Sequence, residues 1–367
     1  MLSGIKIVEI CGIGPGPFCA MHLADLGADV IAVERGDPAN AGKPAEGYVL
    51  NRGKRSVVAD LKTQEGRDLV LRLVGDADAL IEGMRPGVME RLGLGPDVLQ
   101  ERNPRLVYGR MTGWGQGGPM ANAAGHDNNY ISVSGALYYN GTPAEPPSSA
   151  ITAVGDIGGG ALYLAVGLLA GILNARQTGK GTVVDAAIVD GSAHMLQLLL
   201  STKKAGMVVG ARGENMHDSS HFYATYRCAD GNFVTVGAIE PQFYALLLEK
   251  LGLEDVPQFA GQWDRKRWPE MHRHFAEIFA GRTRAEWCAL LEGTDVCFGP
   301  VLSPQEAAVH PHNAARGIYF ERDGELEAMP APRFDGQART PGAIPLRGQH
   351  TEQVFASLEH GLVWKRA

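Results

Sequence analysis

The 367-residue sequence predicts an α/β protein, with a mostly parallel sheet covered by helices joined to a smaller α+β segment. Three observations predict it. Short apolar runs alternate with helix-like stretches through the N-terminal third, the pattern of βαβ units. Glycine- and proline-rich turns separate them. From about Gly206 to Ser220 the composition turns polar and glycine-rich, as a linker does, before a second set of elements starts.

Taken in order, Ile5 to Ile10 is a strand, and after a Gly/Pro turn a helix runs from near Phe18 to Leu26. Gly27 ends it as a C-cap glycine would, and Ala28 to Glu34 is the next strand. Ser56 to Leu61 is another strand, Thr63 caps the helix that follows, and Ala79 to Glu82 and Arg105 to Met111 add two more strands. Ile157 to Ala175 carries no charge and is long enough to span a bilayer. It opens with three glycines behind Asp156 and lacks aromatic anchors at both ends. It therefore reads as a helix buried inside a soluble protein, its glycines letting a neighbour approach closely. Thr182 to Ile188 is a strand and Ser192 to Lys203 a helix. Further on, Asn232 to Ile239 is a strand, Pro241 to Leu251 a helix, and Thr283-Arg-Ala-Glu286 a capping box opening another. The C-terminal stretch is rich in Pro, Arg and Gly and resembles a wrapping tail more than a domain.

Hydrophobic residues make up 45% and charged residues 20%, enough apolar material for a packed core. A net charge of −7 argues against a broad nucleic-acid surface, because phosphate backbones need concentrated Lys and Arg. The five cysteines are scattered and form no C-x-x-C pair, so reduced thiols in the cytoplasm are expected, not a disulfide framework. Lys365-Arg366-Ala367 is not a peroxisomal address. No membrane partner is expected.

Gly12-Ile-Gly-Pro-Gly-Pro17 sits between a strand and a helix, with Glu34 closing the next strand, and so imitates a dinucleotide fingerprint. Pro17 stands where the third glycine should be, which disfavours nicotinamide binding. Asn51-Arg-Gly-Lys-Arg55 is either a solvated face or a phosphate cradle. Arg85 follows a strand end directly, where ligands of open α/β sheets bind. His217-x-x-x-His221 and His310-Pro-His312 have ligand-like spacing, but nothing completes a tetrahedral set, so no metal is expected.

Several stretches are more specific. Gly14-Pro-Gly-Pro-Phe18, Ala24-Asp-Leu-Gly-Ala-Asp29, the Asn51 to Arg55 block and Glu82-Gly-Met-Arg-Pro-Gly87 resemble the class III CoA-transferase superfamily of CaiB/BaiF type. So do Thr112 to Pro119 and Thr178-Gly-Lys-Gly181 with Val184-Asp-Ala-Ala187. Within it, the chain resembles the α-methylacyl-CoA racemases through Ala124-Gly-His-Asp-Asn-Asn-Tyr130, Val154 to Gly160, Val236 to Phe243 and Met329 to Phe334. The resemblance implies ring-shaped subunits interlocked as a homodimer, with active sites between the large domain of one subunit and the small domain of the other. It implies a large Rossmann-like domain over 1–200 completed by the tail 316–367, a linker over 201–221, and a small α+β domain over 222–315.

Racemisation beside a thioester needs one group to remove the α-proton and a second to deliver a proton to the opposite face. The resemblance puts His126 and Asp156 in these roles, His126 serving the S-epimer and Asp156 the R-epimer. Histidine suits a base near neutral pH, whereas aspartate has to be raised from about 3.9 to act as an acid, as burial would do. Glu240 matches the glutamate that orients the histidine, and the backbone N–H of Asp127 the donor to the enolate oxygen. For CoA, the matching positions are Arg52 and Arg55 near the phosphates, Ala59 and Leu61 near adenine, and Arg85; Ile13 and Tyr130 line the thioester path. No cofactor is needed, since CoA is part of the substrate. Racemases of the family carry Asp-Gly-Gly-x-Pro-x-Tyr after the linker, where this chain has Asp218-Ser-Ser-His-Phe-Tyr223, so a changed acyl range is expected if this region borders the acyl site. The alternative is a CoA-transferase that uses Asp156 as nucleophile, which generally lacks the Gly-His-Asp block.

Overall fold

A computed structural model describes residues 1–36, 48–203, 206, 208 and 210–364. Lys365-Arg366-Ala367 and part of the expected linker lie outside them. The chain divides into two compact units: Met1–Ala136 with Ala150–Met195 and Glu327–Ala367, and Leu137–Ser149 with Leu196–Leu326. The tail thus returns to the first unit, later than expected, and residues 137–149 join the second.

The first unit is built on six parallel strands: β1 (Lys6–Ile10), β2 (Asp29–Glu34), β3 (Arg55–Val58), β4 (Ala79–Glu82), β5 (Val107–Thr112) and β6 (Val183–Ala187). Their order is β3-β2-β1-β4-β5-β6, the doubly wound arrangement in which the chain reverses direction between β1 and β4. Strand side chains alternate between two buried layers, which is why these strands read as continuous apolar runs. Val8, Ile31 and Leu80 meet Leu69, Val70 and Leu73 of helix α2 (Gln64–Val74) on one face. Ile7, Val30 and Ile81 meet Cys19 and Leu23 of helix α1 (Pro15–Asp25) on the other. Thr63 caps α2 as expected, accepting the Gly66 N–H at 3.1 Å.

Two short helices, α3 (Val88–Arg91) and α4 (Pro96–Arg102), precede β5, and α5 (Asp127–Ser134) follows it. The long apolar segment begins as a π-helix over Ala153–Ala161 and continues as α6 (Leu162–Thr178). Its glycines do permit close approach. A Cβ on Gly167 would lie 2.6 Å from Val184 and one on Gly171 2.7 Å from Val107, so the helix lies flat on β5 and β6. The expectation of a fully buried helix needs correction, however. Leu164, Leu168 and Ile172 are buried, whereas Val166 and Leu173 on the opposite face are 67% and 62% exposed. Sequence periodicity could not show this, because the helix is apolar all round. After it come β6 and α7 (Ile188–Met195).

The second unit contains α8 (Gln197–Ser201), α9 (Met216–Ser219) and an antiparallel sheet of β7 (Tyr223–Arg227), β8 (Phe233–Gly237) and β9 (Phe298–Val301). Helices α10 (Pro241–Leu251), α11 (Trp268–Phe279) and α12 (Arg284–Leu291) accompany it. The Thr283–Glu286 capping box forms as expected. Ser220, His221 and Phe222, where the sequence departs from its family pattern, are buried in this unit. Phe222 joins its apolar core, so the departure fills the interior of the unit.

His221 sits edge-on to Phe222, Tyr244 and Phe275, with its Nε2 2.7 Å from the Tyr244 hydroxyl and no described partner at Nδ1. Burial and the nearby His272 hold its imidazolium down to about 3. An unfolded histidine titrates near 6.5, so the folded form binds fewer protons below that pH and loses stability as pH falls toward 3. The slope contributed is at most about 1.4 kcal/mol per pH unit. Urea midpoints taken from pH 7 to 5 are expected to fall less steeply in His221→Phe than in the parent; equal slopes would reject this origin. Tyr244 retains a partner in that variant, because its hydroxyl also donates to the Phe259 carbonyl at 3.1 Å.

Candidate active site

A cavity of about 360 Å³ opens where the chain reverses direction, at the carboxyl ends of β1, β4 and β5. Its walls include the turns Gly12 to Pro17 and Gly83 to Pro86, and its contents include His126, Tyr130 and Asp156. Crevices at such a switch point are the usual ligand sites of open α/β sheets, because consecutive strand-end loops splay apart there.

His126 is the N-cap of α5, its backbone extended and its N–H donated to Asn129 Oδ1 at 2.9 Å. That bond fixes the helix start and leaves the exposed imidazole at the cavity. Asp127 is the first residue of the helix and turns the other way. Its buried carboxylate accepts the backbone N–H of Asp156 at 2.7 Å. Only glycine at 155 allows this, since a Cβ there would lie 2.2 Å from Asp127 Oδ1. The π-helix that carries Asp156 is therefore pinned to the start of α5. Across the cavity, Asp156 Oδ2 faces Gly14, 3.8 Å from where a Cβ would be.

The surroundings set the charge on Asp156. Burial raises its pKa first, the Asp127 charge raises it further, and His126 opposes both. The backbone N–H groups that open α5, that of Asp127 first, form the positive end of its dipole, which suits a developing oxyanion. Tyr130 packs edge-on against Trp114 with centroids 4.8 Å apart, its hydroxyl bonded to the Gly125 carbonyl. Bare Gly113 makes room for it, because a Cβ there would lie 2.0 Å from the ring. Burial and the Asp156 charge raise the Tyr130 phenol, while Arg85 lowers it, so these three groups share one field.

Two-base chemistry at this pair would need one group protonated and the other not, so the doubly protonated and doubly deprotonated forms would be inactive. Asp127→Asn keeps an acceptor for the Asp156 N–H but removes a negative charge. The Asp156 pKa falls, and the acid limb of kcat/KM against pH is expected to move to lower pH with the alkaline limb little changed. An unmoved acid limb would remove Asp127 from the electrostatics of the pair.

Of the expected site residues, His126, Asp156, Arg85, Ile13 and Tyr130 line this one cavity. Asp127 lies directly behind it. Ala59 borders a second cavity of the same unit, and Leu61 packs half-buried against the core. Glu240 belongs to the second unit, exposed at the start of α10, where its charge is felt by Cys297. Arg52 and Arg55 need correction as a phosphate cradle. Arg52 is buried against Asp25 at 2.6 Å and Glu327 at 3.2 Å. Arg55 forks onto Asp29 at 3.0 and 2.9 Å, donates to the Val363 carbonyl and stacks on Trp364. A short charge run can be consumed by buried acids far away in sequence, which spacing alone cannot reveal. Two side-chain roles went unnoticed in the sequence. The Asp127 side chain acts besides its N–H, and Glu82 accepts the Met84 N–H at 2.6 Å, holding the turn that presents Arg85. Burial pushes the Glu82 carboxyl up to about 7. Among the described residues no group of three His, Cys, Asp or Glu side chains could hold a metal ion. His217 packs edge-on against Tyr223, and His310 bonds Glu292 at 2.6 Å.

The family model for CoA-transferase family III matches residues 2–351. The human protein "Alpha-methylacyl-CoA racemase" is 43% identical over 358 residues, covering 96% of this chain and 92% of the relative. Human "Succinyl-CoA:glutarate CoA-transferase" is 29% identical over 380 residues, covering 96% and 85%. A crystal structure of a CAIB/BAIF family protein from Brucella suis superposes with a TM-score of 0.81 at 29% identity, covering 97% of this chain and 99% of that one. The chain belongs to CoA-transferase family III.

Proposed function

We propose that this protein is a racemase that interconverts the (R)- and (S)-epimers of 2-methylacyl-CoA thioesters. The observation that carries the proposal is that His126 and Asp156 border one cavity, with the start of α5 between them. Neutral His126 takes the α-proton from one face, and the thioester oxygen gains negative charge beside the Asp127 N–H. Protonated Asp156 returns a proton to the other face, and its burial, which raises the carboxyl pKa, favours that protonated form. The C–H bond broken and the C–H bond formed are on the same carbon, so no redox partner is required. The high identity to proteins named as racemases supports this function over transfer.

In the interlocked homodimer that the resemblance implies, Glu240 of one subunit would orient His126 of the other. The exposed apolar face of α6, with Val166 and Leu173, is the kind of surface a second copy covers.

The test is incubation of one epimer of a 2-methylacyl-CoA in deuterated water, following α-deuterium by NMR and epimer ratio by chiral separation. Deuterium uptake with drift toward an equal mixture is expected. No exchange, with CoA passing to an added carboxylate, would make Asp156 a nucleophile and the protein a transferase.

A further inference from the structure

We infer that Arg347, on the C-terminal tail, is a CoA-binding residue that receives the pyrophosphate linking the nucleotide to the pantetheine arm. The inference rests on the CoA-thioester reading above and deepens it. Arg52 and Arg55, the arginines of the basic run, face inward, and Lys54 is equally buried. Of the cations expected at CoA, Arg85 alone lines a cavity, so a further cation can serve the diphosphate.

The unit that carries the active site has a second cavity of about 730 Å³, at the carboxyl ends of β2 and β3. Gly36, Val58 and Ala59 form one side of it, and the tail residues Leu346 to Gln349 another. Its size suits a nucleoside. Both cavities thus lie at the carboxyl edge of one sheet, the second beside β2 and β3, the first beside β1, β4 and β5.

Arg347 borders the second cavity and stands between the two. Its Nε is 3.1 Å from Glu34 Oε2, at the end of β2, in an ion pair whose angle is outside hydrogen-bond geometry. On the other side it acts on Cys11, at the end of β1. Burial and the Glu9 charge push that thiol up, and the cations Lys54 and Arg347 pull it back. Cys11 precedes Gly12, which lines the first cavity.

The tail is held rigidly enough to aim this side chain. Ser56 Oγ donates to Glu34 Oε1 at 2.6 Å and accepts the Gly348 N–H at 2.7 Å. The His350 N–H reaches the Ser56 carbonyl at 2.9 Å, and its Nδ1 accepts the Ser56 N–H at 3.1 Å. Glu34 thus draws the Nε edge of the guanidinium by charge. No described residue bonds its terminal nitrogens, and the side chain remains 29% exposed. A planar fork presented in this way suits two oxygens of a diphosphate.

The experiment measures binding of CoA and dephospho-CoA by calorimetry to the full chain, alongside kinetics with 2-methylacyl-CoA and the matching 2-methylacyl-pantetheine. In Arg347→Ala, affinity for CoA and dephospho-CoA is expected to fall together, by roughly 10- to 100-fold. KM for the CoA thioester rises with kcat nearly unchanged, kcat/KM for the pantetheine thioester does not move, and Arg347→Lys recovers part of the loss. Equal losses with both thioesters would reduce Arg347 to a support of the tail. A loss confined to CoA would assign it to the 3′-phosphate and overturn the pyrophosphate contact. No loss would remove it from the site. Should Arg347→Ala fold poorly, Arg347→Gln keeps the planar end without the charge and reads the same contrast. If the parent binds CoA but neither exchanges nor racemises the thioester, the proposed reaction fails while the Arg347 assignment stands on the binding data.

Discussion

Asp156→Ala is expected to abolish racemisation, by at least about a thousandfold, yet to leave deuterium exchange from one epimer alone. His126 would still remove the α-proton of the S-epimer, and its exposed imidazole would trade that proton for solvent deuterium before returning it to the same face. The product is labelled S-epimer with unchanged configuration. His126→Ala inverts the pattern, with residual exchange confined to the R-epimer. That exchange should be slower, because Asp156 is half-buried and its proton meets bulk water less readily. Single-epimer incubations of both variants in deuterated water distinguish this from a one-base mechanism, in which one variant would lose all exchange from both epimers and the other would lose none. Symmetric loss in both variants would point instead to a shared structural collapse of the cavity, which a thermal melt would detect.

Much of this site was legible in the sequence for a local reason. His126 and Asp127 are neighbours at a helix start, and Asp156 opens a glycine run, so short motifs carry both halves of the proposed acid–base pair. The sheet was legible too, since parallel strands buried on both faces announce themselves as apolar runs. What stayed hidden depended on distance along the chain. Arg52 meets Glu327 and Arg55 meets the Val363 carbonyl, partners that only the returning tail supplies. The position of Arg347 depends on Glu34 and Ser56 in the same way. His221 was equally opaque, because the aromatic core around it, Tyr244 and Phe275 among it, comes from far along the chain.

Lys54→Met is expected to cost about 3–5 kcal/mol of stability. Lys54 Nζ lies 2.6 Å from Glu9 Oε2 and 3.1 Å from the Pro17 carbonyl, and both side chains of the ion pair are almost wholly shielded from solvent. Burial raises the Glu9 carboxyl, the Lys54 charge pulls it back, and Oε1 has no described partner. Removing the ammonium leaves a carboxylate in the sheet with nothing to compensate it. Such a group escapes the penalty by taking a proton, and this fixes the sign of the pH dependence. A folded pKa above the unfolded value contributes stability below the unfolded value and loses it as pH rises. Urea unfolding should therefore show the deficit of Lys54→Met against the parent shrinking from pH 7.5 to 5.5, and a deficit that grew on acidification would refute the account. Adding Glu9→Met to the variant should restore most of the stability, because replacing both partners leaves no uncompensated charge. Activity is the further discriminator. The Pro17 carbonyl belongs to the turn that walls the cavity, so the double variant should fold well while its kcat/KM stays low. Full recovery of both would mean that the ion pair supports the sheet without shaping the site.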